Sequence, residues 1–273
     1  MILKVHHSTK YSYTESVKHS LQILRLTPIS HNRQKVINWE LKTPGLMSNN
    51  IDWFGNITHV LTLPEPCDEI EIIALGKVRV FSARPNPILG PLHPTYYLRN
   101  TPLTAPNEGM KELAHSIKLK TRGNLDDTLT ALNKLSEIIL NKVKYVRGKT
   151  NSSTVAHESF DLGSGVCQDH SHIFLGCARF LGIPARYVSG YLHTDDTSHL
   201  SSHAWAEVWV NQAWHSFDIS NQCQSDEKHI ELAYGLDYLD ACPIRGSRIG
   251  GGAEQLMVFS LVTDQQEKEK SRI

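Results

Sequence analysis

From the N-terminus to about Phe81 the apolar positions recur every second residue, in short runs. Tyr11 and Tyr13 alternate with Ser12 and Thr14, and Leu21–Leu26 (LQILRL) alternates apolar with polar side chains. VINWELKTPG, THVLTLPEP and EIEIIALGKVRVF continue the series, each bounded by Pro, Gly, Asn or Asp. Asp52–Asn56 (DWFGN) places an aromatic pair ahead of Gly-Asn, a turn signal between strands. The pattern predicts an antiparallel β-domain, sandwich or barrel, of about 80–100 residues, assigned to residues 1–83.

Six of the twelve prolines fall between Arg84 and Pro106. That density disfavours regular helix and sheet interior, so residues 84–106 read as an extended connector. Tyr96, Tyr97 and Leu98 within it predict packing along a surface. The period then becomes helical. Leu113, Ala114 and Ile117 share one face of a short helix, and Leu129, Leu132, Leu135, Ile138, Ile139 and Val143 line a longer one. Asp126 and Asp127 sit near the start of the longer helix, where the dipole favours them. A third helix is expected to open at about Cys167 and to end at Gly182-Ile183-Pro184. Three strands follow: ARYVSGYL, HAWAEVWV and AWHSFDIS. Residues 107–262 form the expected second domain, and 263–273 a polar, frayed tail.

Composition narrows the function. In 273 residues, 40% are apolar and 21% charged, ordinary values for a chain with a substantial core. Lys and Arg number 28, matched by 28 Asp and Glu, and no basic stripe with interleaved aromatics occurs. Nucleic-acid and anionic-membrane partners are therefore not expected. The opening MILKVHHSTKYSYTE lacks the apolar run of a signal peptide. Cys67, Cys167, Cys177, Cys223 and Cys242 make an odd set, which fits free thiols in a reducing compartment. A cytoplasmic location is expected.

The chemistry concentrates in GSGVCQDHSHIFLGCARFLG. Gly163 and Gly165 permit a tight approach to the helix, and Cys167 falls at its first turn. Unpaired N–H groups and the positive dipole end there favour a thiolate and can receive a developing oxyanion. An isolated cysteine is most often simply buried, so a base has to be found. HAWAEVWVNQAWHSFD reads as a hairpin turning at Asn211-Gln212. Its register would set Val210 opposite Ala213 and Trp205 opposite Asp218, with His203 one diagonal step from Asp218. Asp218 could then orient the imidazole while its other nitrogen faces Cys167.

These residues resemble a known family. GVCQDHSHIFLGCARFLGIPARYVSGYL, HAWAEVWV and WHSFDISN look like the three core motifs of the transglutaminase-like superfamily. HHSTKYSYTESV…LRLTPIS, WFGNITHVLTLPEP and YGLDYLDACPIRGSRIGGGAEQ are similar to its bacterial two-domain subgroup, described as candidate cysteine proteases. The resemblance implies an α+β fold, with a papain/transglutaminase-like core preceded by the β-domain. By motif it makes Cys167 the nucleophile, His203 the base and Asp218 the orienting acid. It implies acyl transfer through a thioester, with hydrolysis of an amide or peptide bond expected. The rivals are an amine acceptor, as in protein transglutaminases, and a binding or scaffold module with a retained triad. One departure is Leu236, at a position usually occupied by Arg in the subgroup.

Other residues are read more plainly. Cys167, His170 and His172 lie close together, but 170 and 172 point to different helix faces and no Cys-x-x-Cys partner is near. His199 and His203 are four apart in a stretch read as loop into strand, and Asp195-Asp196 falls in a loop. No metal or other cofactor is expected. Asp169 is taken as a carboxylate serving the helix dipole in preference to a substrate contact. Tyr145 is taken as a packed aromatic in preference to an oxyanion donor, and Trp205, Trp209, Trp214 and Cys177 as core.

Overall fold

The computed structural model describes residues 1–82, 85–86, 90–117, 124–194 and 202–265. Asp195, Asp196, His199, Pro87 and the tail beyond 265 lie outside the described residues. Strands β1 (Ile2–Thr27), β2 (Gln34–Lys42), β3 (Leu46–Ile51), β4 (Ile57–Thr62) and β5 (Cys67–Val80) account for the alternating N-terminal pattern. They pair antiparallel in the order β2-β5-β1-β4-β3. β1 carries its own history of burial. Leu3, Val5, His7, Thr9 and Val17 are buried at odd positions, then Ser20, Gln22, Leu24 and Leu26 at even ones. A bulge between Val17 and His19 inserts the one residue that changes the parity.

The second half of the chain contains α1 (Glu108–Ser116), α2 (Leu125–Lys142), β6 (Lys144–Tyr145), α3 (Ala156–Leu162), β7 (Ser164–Gly165) and α4 (Cys167–Phe180). These are followed by β8 (Ala185–Leu192), β9 (His203–Val210), β10 (Ala213–Phe217), β11 (His229–Gly235) and the short α5 (Tyr238–Ala241). β10, β9, β8 and β11 form an antiparallel sheet in that order. α4 runs through the core, where Ile173, Phe174, Cys177 and Ala178 pack with Leu132, Leu135 and Ile139 of α2 and Ala206 and Val208 of β9. Fully burying such aliphatic side chains contributes roughly 1.5–3 kcal/mol each.

Residues 244–264, grouped by sequence with the second domain and the tail, return to the N-terminal sheet. β12 (Ile244–Gly250) and β13 (Glu254–Asp264) both pair antiparallel with β1. The reason is the length of β1: β4 and β5 occupy one of its edges, and β12 and β13 satisfy the other. The connector also holds more structure than its prolines suggest. Pro94–Leu98 is a 3-10 helix, and Asn86 exchanges two backbone hydrogen bonds with Trp214, at 2.8 and 2.9 Å. Tyr97 packs edge-on against Trp214 with ring centroids 5.1 Å apart.

The two sheets share a core, in which Tyr191, Ile230 and Leu232 join Leu3, Leu24, Ile70 and Ile72. They also share buried charge. Arg33 reaches from the N-terminal region to Glu207 of β9 and to Glu231 of β11, the latter at 2.6 Å. Arg186 of β8 donates from Nε to the other Glu207 oxygen at 2.7 Å. Its guanidinium lies over the Tyr234 ring at 3.8 Å and the Trp214 ring at 4.2 Å. Among the described residues no helix is long and apolar enough to cross a membrane.

Removing one member of a buried ion pair strands the others, at a cost of about 3–5 kcal/mol. Glu207→Gln is therefore expected to lower unfolding stability by about that much. Urea titration followed by tryptophan fluorescence measures it, and a change under 1 kcal/mol would contradict the role assigned to Glu207.

Candidate active site

Two local devices bring the candidate residues together. The first is the β9–β10 hairpin. Asn211 and Gln212 have φ of 48° and 61°, both left-handed, as a two-residue turn matching the strand twist requires. The ladder then runs Val210↔Ala213, Trp209↔Trp214, Val208↔His215, Glu207↔Ser216 and Ala206↔Phe217. One further step sets Trp205 opposite Asp218. His203 Nε2 accordingly lies 2.7 Å from Asp218 Oδ2.

The second device delivers Cys167. β6 and β7 pair parallel, with Lys144↔Ser164 and Tyr145↔Gly165 in register. Gly163 closes α3 with φ +68°. A Cβ on Gly165 would fall 2.7 Å from the Asp169 Cβ, so only glycine fits there. Asp169 Oδ2 accepts from the Val166 N–H and from the Thr150 hydroxyl, each at 2.7 Å. Burial raises the Asp169 pKa against those two hydrogen bonds, which lower it. This carboxylate caps α4, in line with its plainer reading, and Cys167 emerges as the first residue of that helix.

Cys167 and His203 line the same cavity, close enough for the sulfur to act on the imidazole. A cavity of about 280 Å³ is lined by Cys167, Gln168, Tyr145, Arg147, His203 and Tyr238 among others. A second, also about 280 Å³, includes Leu192, Thr194, Ser220 and Asn221. Both include Tyr145, Ser202 and His203, so sulfur and imidazole lie along one depression. The β6–β7 pairing explains why Tyr145 faces this cleft, where sequence had favoured simple packing. Its side chain is 38% exposed, and burial, then the neighbouring Cys167 sulfur, raises its pKa.

Asp218 is almost fully enclosed and heavily used. Oδ2 receives His203 at 2.7 Å, Asn221 Nδ2 at 2.7 Å and His229 Nε2 at 3.1 Å, while Oδ1 accepts the Asn221 backbone N–H at 3.1 Å. Burial disfavours its charge, yet His203 foremost and then His229 hold the carboxyl well below the usual range. Burial likewise disfavours a charged His203. The Asp218 carboxylate, helped by the Cys167 sulfur, overcomes that and pushes its pKa up to about 10. His203, Asp218 and His229 have ligand atoms within 4.8 Å of one another, a spacing that a metal site could share. Here both imidazoles address the same carboxylate oxygen, which calls for two N–H donors and makes the group a hydrogen-bonded chain.

His170 and His172 are spent elsewhere. The His170 ring spans Ser220 Oγ and the Val143 carbonyl, each at 2.9 Å. His172 Nε2 accepts the Tyr238 N–H at 3.1 Å, and burial lowers its pKa to about 4. Cys177 is buried, with its thiol pushed up to about 12. Trp209 and Trp214 are in mutual contact, and Trp205 lies beside His203 and edge-on to His229. Leu236 is buried against Tyr97 and Trp214, and its carbonyl accepts from Arg179 Nη2 at 2.6 Å. His229 and Asn221 were not singled out from sequence. Asn221 follows Asp218 by three residues, a spacing that could have marked a local side-chain turn.

Residues 112–219 match the family described as the transglutaminase-like superfamily, and residues 3–79 match the bacterial transglutaminase-like N-terminal region. The chain belongs to the transglutaminase-like superfamily and carries both regions of its bacterial form. It is 29% identical to the uncharacterized protein ML0607 of Mycobacterium leprae, over 96% of this chain and 98% of that one. Identity to the uncharacterized protein Rv2569c of Mycobacterium tuberculosis is also 29%, over 89% and 86%. Among solved structures, a "Putative Cysteine Protease from Cytophaga hutchinsonii" superposes with a TM-score of 0.76 at 20% identity, over 97% of this chain and 91% of that chain. That likeness establishes the transglutaminase-like fold with its N-terminal antiparallel β-rich region.

The His203 interaction predicts a pH dependence. Below 6.5 the ring is protonated folded and unfolded, so its stabilisation is fully present. Above that value the unfolded chain releases the proton while the folded protein keeps it up to about 10, so this contribution declines through that window. Urea unfolding at pH 6 and pH 9.5 is expected to show a smaller loss in His203→Gln than in wild type. Equal losses would contradict the assignment.

Proposed function

We propose that the protein is a cysteine-dependent acyltransferase that hydrolyses an amide or peptide bond, with Cys167, His203 and Asp218 as its triad. The observation that carries this reading is the meeting of the Cys167 sulfur, on a helix N-terminus, with a histidine held 2.7 Å from a buried carboxylate in an open cleft. The fold around it is the α+β, papain/transglutaminase-like arrangement, with nucleophile on a helix and base on the facing sheet.

In acylation the Cys167 sulfur attacks the substrate carbonyl and the oxygen takes up the electron pair. N–H groups at the start of α4 and the Tyr145 hydroxyl, whose residues line the same cavity, are assigned to stabilise that oxyanion. Collapse forms the thioester, and His203 gives its proton to the departing amine. Water then attacks the thioester as His203 accepts a proton, and collapse releases the acid and the Cys167 sulfur with its electron pair, the proton remaining on His203 as at the start. Asp218 orients the imidazole and stabilises its charged form throughout. No step calls for a metal or another cofactor. The substrate is a peptide, protein or small amide, and a cytoplasmic setting fits the five free thiols.

Limiting iodoacetamide near pH 6 is expected to label Cys167 ahead of exposed Cys223 and half-buried Cys67, as read by peptide mass spectrometry. Equal labelling of the three would count against an activated nucleophile. An acyl-donor probe should leave a thioester adduct on Cys167, absent from Cys167→Ala, and EDTA should not prevent it. A free acid as product supports hydrolysis; a new amide on added primary amine supports transamidation; no adduct at all supports a binding module. Asp218→Asn is expected to slow acylation by about three to four orders of magnitude while the fold survives.

A further inference from the structure

We propose that His229 is a positioning residue for the triad: it shares the Asp218 carboxylate with His203, and the positive charge it brings there sets how tightly His203 holds its proton. The proposal builds on the triad reading above and assigns a role to a residue outside it.

The geometry is that of a chain. His203, Asp218, His229 and Asp226 follow one another, imidazoles alternating with carboxylates, and Cys167 lines the cavity beside His203. His229 Nε2 lies 3.1 Å from Asp218 Oδ2, the oxygen that also receives His203. Its Nδ1 lies 2.9 Å from Asp226 Oδ1, with the Asp226 backbone N–H competing at 3.1 Å. Two carboxylates address this ring against one amide, and the ring is 2% exposed. Burial opposes charge on His229, but Asp218 and Asp226, with the Cys223 thiol, hold it protonated well above the ordinary histidine range.

The surroundings add little competing charge. Trp205 of β9 packs edge-on against the His229 ring at 5.3 Å and fixes its plane. His203 of β9 stands 6.1 Å away between ring centroids. From the loop before β11 come Cys223, Asp226 and, acting on Asp226, Lys228. His170 of α4 faces Asp218 from the other side, with its own pKa lowered by burial. A carboxylate shared between two cations attracts each less than it would one alone. His229 therefore moderates the attraction by which Asp218 keeps His203 charged, and eases release of the His203 proton to the departing amine.

The experiment uses full-length protein with 15N-labelled histidine rings. At pH 7 both His229 ring nitrogens should resonate as imidazolium; a neutral ring with one lone pair overturns the proposal without any variant. His229→Gln keeps an N–H donor toward Asp218 and removes the charge. Its His203 titration midpoint should move upward by about one pH unit, seen as a smaller neutral fraction at pH 10. An unchanged or lowered midpoint in the folded variant, checked by circular dichroism, overturns the proposal. A packing role alone would leave that midpoint unmoved. Failure of the triad reading has a separate signature: Cys167 would label no faster than Cys223, whatever the histidine spectra show.

Discussion

Glu207 is the residue on which both halves of the molecule turn. It lies fully buried on β9, four residues beyond His203, with one oxygen facing Arg33 of the N-terminal region and the other facing Arg186 of β8. Charges taken from water this completely are costly unless every partner is in place, so only one docking of the N-terminal region onto the sheet satisfies them. Neutral hydrogen bonds reinforce that choice. The Gln34 amide exchanges two bonds with the Glu231 backbone at 2.9 Å, and the Asn56 amide does the same with Tyr234 at 2.7 and 2.8 Å. Two side-chain amides thus complete the edge of β11 where a neighbouring strand would otherwise have to lie. β11 begins with His229, so the surface that docks the N-terminal region also fixes the back of the site.

Much of this was legible one element at a time. The Asn211-Gln212 turn, with strong strand formers on either side, determined the hairpin register and with it the meeting of His203 and Asp218. The glycines at 163 and 165 marked a tight approach to α4, and the close packing of Gly165 on Asp169 is the physical reason. What stayed hidden depends on distance along the chain. β11 is nearly all buried, with no alternation to betray a strand, and the edge it turns away from β8 is met by Gln34 and Asn56, 197 and 178 positions from their partners. β12 and most of β13 read as part of the second domain until the second edge of β1 is seen. A proline-dense stretch gives no sign that Tyr97 and Asn86 will be claimed by Trp214. His229 follows the same rule in part: Asp226 is near it in sequence, but Asp218 reaches it only across the turn between β10 and β11.

Cys167 and His203 sit on different elements, so their separation is a packing quantity. Cys167 rides on α4 and His203 on β9, and the contact between those elements includes Phe174 stacked on Phe217 with centroids 5.1 Å apart. Phe217 immediately precedes Asp218, so one aromatic pair sets the height of the helix and of the carboxylate together. Interiors packed at crystal-like density transmit a methylene-sized change as a shift of the elements around it. The spacing of Cys167 and His203 is accordingly coupled to residues outside the cavity, Phe174 and Phe217 first among them. The helix-borne sulfur and the sheet-borne imidazole keep their spacing only while that aromatic contact keeps its own.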